Sequence, residues 1–115
     1  MFHPVRAALA AFALAIALAH PPAARADADP IFVIEFADGA IRPSVLKVPA
    51  GTRFKLELHN RGTSPIEFES LPLRKEKVLG PGVSTFIVIR RLDPGEYLFF
   101  DDFHLDMPPA KLIAE

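Results

Sequence analysis

The 115 residues contain no cysteine, no tryptophan and a single tyrosine. Without cysteine there is no disulfide and no thiolate-ligated metal centre, so a small domain of this composition must hold together through its core alone. Glycine is scarce, at 6 residues, and no glycine-rich phosphate loop is present. Zinc-type cysteine or histidine spacing and a Ser-His-Asp arrangement are missing as well. Lys and Arg number 13 against 14 Asp and Glu, a balance without the extended basic surface that a nucleic-acid partner requires. Of the 2 methionines one is the initiator, which excludes a methionine-rich copper carrier. The longest apolar run, Ala7 to Ala19, falls short of the ~20 residues that span a bilayer.

That apolar run is nevertheless informative. His3 and Arg6 precede it, and Ala24-Arg25-Ala26 follows as a small-x-small cleavage site, which together read as a secretory signal peptide over residues 1–26. Cleavage after Ala26 leaves residues 27–115 as one small domain, since a chain of that length builds one core and not two. Losing Arg6 and Arg25 leaves 11 basic against 14 acidic residues, a net charge of −3.

Within the expected domain the period is that of strands. Phe32, Ile34 and Phe36 alternate before the turn at Asp38-Gly39. Phe54, Leu56 and Leu58 alternate with Lys55, Glu57 and His59 in the clearest strand, Thr52 to His59. Further strands are expected at Val45–Val48, Ile66–Glu69, Ser84–Ile89, Tyr97–Asp101 and Lys111–Ala114. Asn60–Pro65 reads as a loop, and Leu71–Leu79 as an irregular stretch with one helical turn around Arg74–Lys77. Seven to eight short strands, frequent turns, 12 prolines and no amphipathic helix predict an all-β Greek-key sandwich.

Chemistry concentrates in two places. In Gly95-Glu96-Tyr97-Leu98-Phe99-Phe100-Asp101-Asp102-Phe103-His104, alternation puts Asp101 on the same, core-facing side as Tyr97 and Phe99. A carboxylate there is costly unless paired, and His104 lies within reach around a bend. The two form an oxygen–nitrogen donor pair suited to iron, zinc or Cu(II). Glu67 and Glu69, two apart, project from one strand face; the plain alternative is a solvated face. His59, among charges, and Asp106 read as surface residues, and Asp102 as exposed or supporting. Arg74, Lys75 and Lys77 form a basic cluster that is either solvated or a docking patch.

The run Gly95-x-Tyr97-x-Phe99-x-Asp101-x-x-His104 resembles the C-terminal signature of cupredoxins, with Asp101 in the cysteine position, His104 in the histidine position and Met107 earlier than the axial methionine. Residues about 30 to 114 resemble more closely the cupredoxin-like components of bacterial Efe/Ftr-type ferrous iron uptake. That likeness rests on Val48-Pro49-Ala50-Gly51-Thr52, Ile66-Glu67-Phe68-Glu69, Arg74–Val78 before Pro81-Gly82, and Asp101-Asp102-Phe103-His104. It implies a periplasmic, cupredoxin-like domain that binds Fe²⁺ or Cu²⁺ and assists oxidation of ferrous iron, or a non-catalytic metal-binding or docking module of the same fold. It implies Glu67, Glu69, Asp101 and His104 as metal ligands, with Asp101 and His104 catalytic and a copper or iron ion as cofactor. Partners would be a periplasmic iron-binding protein and an inner-membrane iron permease. The chain departs from the pattern at Ile41 and Asp101, where close relatives carry cysteine, and at Ile66, which follows Pro65 where blue-copper proteins carry their first histidine ligand. A blue-copper electron carrier is thereby excluded, because it needs a thiolate.

Overall fold

A computed structural model describes residues 1–4, 8, 10–19 and 28–115. Arg6 and the expected cleavage site at Ala24–Ala26 lie outside the described residues. The described residues before residue 28 form no helix or strand, and no helix among the described residues is long and apolar enough to cross a membrane.

From residue 31 onward the chain is all strand and turn: β1 Ile31–Ala37, β2 Ala40–Arg42, β3 Val45–Val48, β4 Phe54–Asn60, β5 Ile66–Ser70, β6 Lys75–Leu79, β7 Ser84–Ile89, β8 Gly95–Asp101 and β9 Ala110–Ala114. They form a four-stranded sheet in the order β2-β1-β4-β7 and a five-stranded sheet in the order β3-β9-β8-β5-β6. Two pairings are parallel, β1 with β4 and β3 with β9; the others are antiparallel.

Alternation explains which face each strand buries. Phe54, Leu56 and Leu58 are fully buried while Lys55, Glu57 and His59 face outward, as the period of two dictates. The inner faces meet in an aromatic stack that bridges the sheets. Phe36 sits edge-on to Phe68 at 6.4 Å, and Phe68 stacks on Phe99 at 5.3 Å, spacings at which rings attract beyond simple burial. With no disulfide available, this cluster and the surrounding Ile, Leu and Val side chains are the core.

Three expectations need correction. Lys75–Leu79 is not irregular or helical: it is β6, hydrogen-bonded along its length to β5 and entered through a tight turn, Leu71–Arg74, closed by Arg74 N–H donating to the Leu71 carbonyl. The mixed charges of Lys75-Glu76-Lys77 suit an edge strand that is exposed on both faces up to Val78, which hides the period. The strand count among the described residues is therefore nine. Asn60 is not loop but the end of β4. It is buried because its amide donates to the Ser64 and Leu79 carbonyls and its side-chain oxygen accepts from Gly62 N–H.

The strand directions give the sandwich two ends. One gathers the Asp38-Gly39 turn, Arg61–Ser64 and the segment after Asp101; the other gathers Gly51, Leu71–Arg74 and Arg90–Pro94.

Candidate metal centre

β8 delivers Asp101 to the first end. It pairs opposite Phe68, so its side chain enters the inner face, where it is 2% exposed. A carboxylate so buried must be satisfied, and it is. Oδ1 accepts from Glu67 N–H and from Phe103 N–H, both at 3.0 Å, and Oδ2 accepts from Nδ1 of His104 at 2.7 Å. The bend that brings His104 round is itself tied down: His104 N–H donates to the Asp101 carbonyl, and Met107 N–H to that of His104.

A carboxylate at Nδ1 fixes the imidazole tautomer: the proton sits on Nδ1, and the neutral ring directs its lone pair out through Nε2. Nε2 lies 3.4 Å from Oγ of Ser64. Ser64 Oγ in turn donates to Oδ1 of Asp38 at 2.9 Å, and that same oxygen accepts from Ser64 N–H and Thr63 N–H. The Ser64 and Thr63 hydrogen bonds hold the Asp38 carboxyl below its ordinary value. Asp38 takes a left-handed φ of +47° to do this. Gly62 and Gly39 make room: a Cβ on Gly62 would lie 2.8 Å from Asp38 Oδ1, and one on Gly39 would lie 3.0 Å from Met107 Cγ. Asp101, His104, Ser64 and Asp38 thus form one chain of contacts from the five-stranded sheet to the β1–β2 turn.

Glu67 and Glu69 lie elsewhere. Alternation along β5 buries Ile66, Phe68 and Ser70 and turns both glutamates to the outer face, away from Asp101. There Glu69 pairs opposite Glu76 of β6, and a carboxylate oxygen from each of Glu67, Glu69 and Glu76 lies within 4.8 Å of the others. Partial burial, then the charges of Asp102, Glu69, Glu76 and Asp101, push the Glu67 carboxyl above its ordinary value. Like charges held this close repel, and a bound cation would relieve them.

The four residues singled out in the sequence therefore fall into two groups back to back across one sheet. Asp101 meets His104; Glu67 and Glu69 meet each other and Glu76. Glu76 was not among the expected ligands, nor were Ser64 and Asp38 among the site residues. Glu76 becomes visible only once β5 and β6 are recognised as a hairpin, which puts it across from Glu69. His59 is half-buried, with Nε2 3.0 Å from Glu57 Oε1 and Nδ1 2.8 Å from Ser84 Oγ.

A protein-family model described as a cupredoxin-like domain matches residues 7–114. The chain belongs to the cupredoxin-like domain family. An uncharacterized protein of Rickettsia prowazekii (strain Madrid E) is 38% identical over 81 residues, covering 70% of this chain; the chain spans 65% of that relative's length. Among solved structures, reduced auracyanin from Roseiflexus castenholzii shares the fold at a TM-score of 0.61 and 18% identity, over 77% of this chain and 99% of its own. The metal-binding domain of the Cu(I)-exporting P-type ATPase CopA of Streptococcus pneumoniae D39 does so at 0.65 and 13%, over 74% and 84%. A purple cupredoxin from Nitrosopumilus maritimus does so at 0.53 and 17%, over 76% and 100%.

A thiolate-ligated copper centre does not fit this cupredoxin-like domain. The β8 end carries Asp101, whose two oxygens are already engaged in three hydrogen bonds, and Pro65 is followed by the fully buried, aliphatic Ile66. The donors that do remain open are oxygen and imidazole nitrogen.

Proposed function

We propose that this cupredoxin-like domain is an exported metal-binding module of bacterial iron uptake. It holds Fe²⁺, or Cu²⁺ at the same donors, and assists oxidation of ferrous iron before transport. The observation that carries the reading is the convergence of Glu67, Glu69 and Glu76, three carboxylates whose oxygens lie within 4.8 Å. Carboxylate oxygen is a hard donor and favours Fe³⁺ over Fe²⁺, which lowers the reduction potential of bound iron and favours passing its electron to an acceptor such as Cu(II). His104, oriented by Asp101, offers a nitrogen donor at the end of the sandwich. A periplasmic iron-binding protein and an inner-membrane iron permease would receive the product.

A second reading, binding and delivery without turnover, draws support from Asp101. Its three hydrogen bonds fix the His104 ring in place and leave one lone pair of Oδ2 for an ion, an arrangement suited to holding a metal.

The deciding experiment adds Fe²⁺ to the purified protein and follows both melting temperature and oxidation of repeated Fe²⁺ additions. The reading expects a metal-dependent rise in melting temperature, because an ion bound only by the folded state stabilises it. It also expects loss of that rise in Glu67→Gln/Glu69→Gln. Oxidation that continues over repeated additions and slows in His104→Ala supports the first reading; one stoichiometric binding event without turnover supports the second. No metal-dependent rise in the unmodified protein rejects both.

A further inference from the structure

Four strands end the two sheets, and three are guarded. β2 is three residues long and runs into Pro43, β3 carries Lys47, and β6 carries Lys75, Glu76 and Lys77. Short length, proline and charge are the usual protections of an edge. β7 has none of them: Ser84-Thr85-Phe86-Ile87-Val88-Ile89 is six residues, uncharged, proline-free and, among the described residues, bonded only to β4. Its outer edge presents a row of backbone donors and acceptors.

Immediately beyond β7 the chain turns cationic. Arg90 and Arg91 are exposed, and with Lys75 they line a cleft floored by Leu73 and Leu92. Four other cations of the domain are paired with carboxylates: Lys47 with Glu115, Arg53 with Asp29, Arg61 with Glu35 and Lys111 with Glu96. Among the described residues no carboxylate lies within 4.0 Å of Lys75, Arg90 or Arg91. On a domain that is acidic overall, three free cations at one cleft are a local reversal of charge.

We propose that β7 accepts an extended, acidic segment of a protein partner as a fifth strand of its sheet, with the segment's carboxylates seated on Arg90, Arg91 and Lys75. The free edge supplies main-chain pairing and the cations supply the choice of partner, which are the two components of strand-addition recognition. An anionic lipid surface could use the cations but has nothing to pair with the edge. Docking here leaves His104, at the opposite end of the strands, uncovered.

The test uses a fluorescently labelled synthetic peptide alternating glutamate and valine, read by anisotropy against the purified protein. Binding is expected, weakening as salt is raised and falling about tenfold or more in Arg90→Glu/Arg91→Glu. Amide exchange in β7 is expected to slow when the peptide is bound. A peptide of the same sequence with methylated backbone nitrogens at alternate positions keeps its charge and is expected to lose binding. Equal binding of a glutamine–valine peptide, unchanged binding by the charge-reversed variant, or unchanged binding of the methylated peptide would each overturn the proposal. So would failure of the peptide to bind while phosphatidylglycerol vesicles do, which would assign the cations to a membrane.

Discussion

Among the described residues, two exposed ones adopt left-handed backbone conformations without being glycine, and they do so for different reasons. Asp38, at φ +47°, gains hydrogen bonds from both Thr63 and Ser64. Those bonds depress its pKa below the ordinary 3.8, so Asp38 stabilises the fold in full above that value and loses the contribution as pH falls through the depressed one. Asp38→Asn keeps an oxygen acceptor but cannot titrate. It should therefore flatten the stability–pH curve below pH 3.8, as acid denaturation of the two proteins would show. Arg74, at φ +54°, has no such bonds among the described residues and sits at the close of the β5–β6 turn. Glycine meets no steric penalty there, so Arg74→Gly should be stabilising by about 0.5–1 kcal/mol in urea unfolding. A loss of stability instead would mean that the arginine side chain contributes packing.

At the scale of the strands, the join between β5 and β8 is the point where core and candidate site are one structure. Their backbone ladder covers only two residue pairs, Phe68 with Asp101 and Glu69 with Phe100. Side chains complete it: Ser70 Oγ donates to the Leu98 carbonyl, and Asp101 accepts Glu67 N–H. Truncating Phe68, which touches both Phe36 and Phe99, should cost about 3–5 kcal/mol. Asp101→Ala removes no large apolar surface, yet it strands two backbone donors and the His104 ring. A loss of about 1–3 kcal/mol is expected, with increased amide exchange at Glu67 and Phe103. Exchange unchanged at those two amides would show that water replaces the carboxylate without penalty. The same alternation that buries Phe68 and Asp101 together sends Glu67 and Glu69 outward, so the division of the candidate ligands follows from strand geometry.

For the molecule as a whole, charge decides when a cation can bind. The Glu67 carboxyl is raised above its ordinary 4.5 by partial burial and by its acidic neighbours. A raised carboxyl destabilises the fold above that raised value, and the penalty disappears as pH falls through the window just above 4.5. Glu67→Gln should accordingly be more stable than the unmodified protein at neutral pH without metal and less stabilised by added metal. Calorimetric titration should show affinity rising with pH across the same window, with protons released on binding; a pH-independent affinity would place the ion away from Glu67. Much of this could be read along the chain. Alternation in Phe54-Lys55-Leu56-Glu57-Leu58 and in Tyr97–Asp101 identified an all-β sandwich, its inward faces and the buried carboxylate beside His104, because side-chain direction in a strand is local. The lack of cysteine excluded a thiolate centre for the same reason: composition alone decides it. Which strands become neighbours is not local. Glu76 across from Glu69, Ser64 and Asp38 beside His104, and β7 left as a bare edge beside Arg90 and Arg91 depend on contacts between residues far apart in sequence, and only the packed sheets settle those.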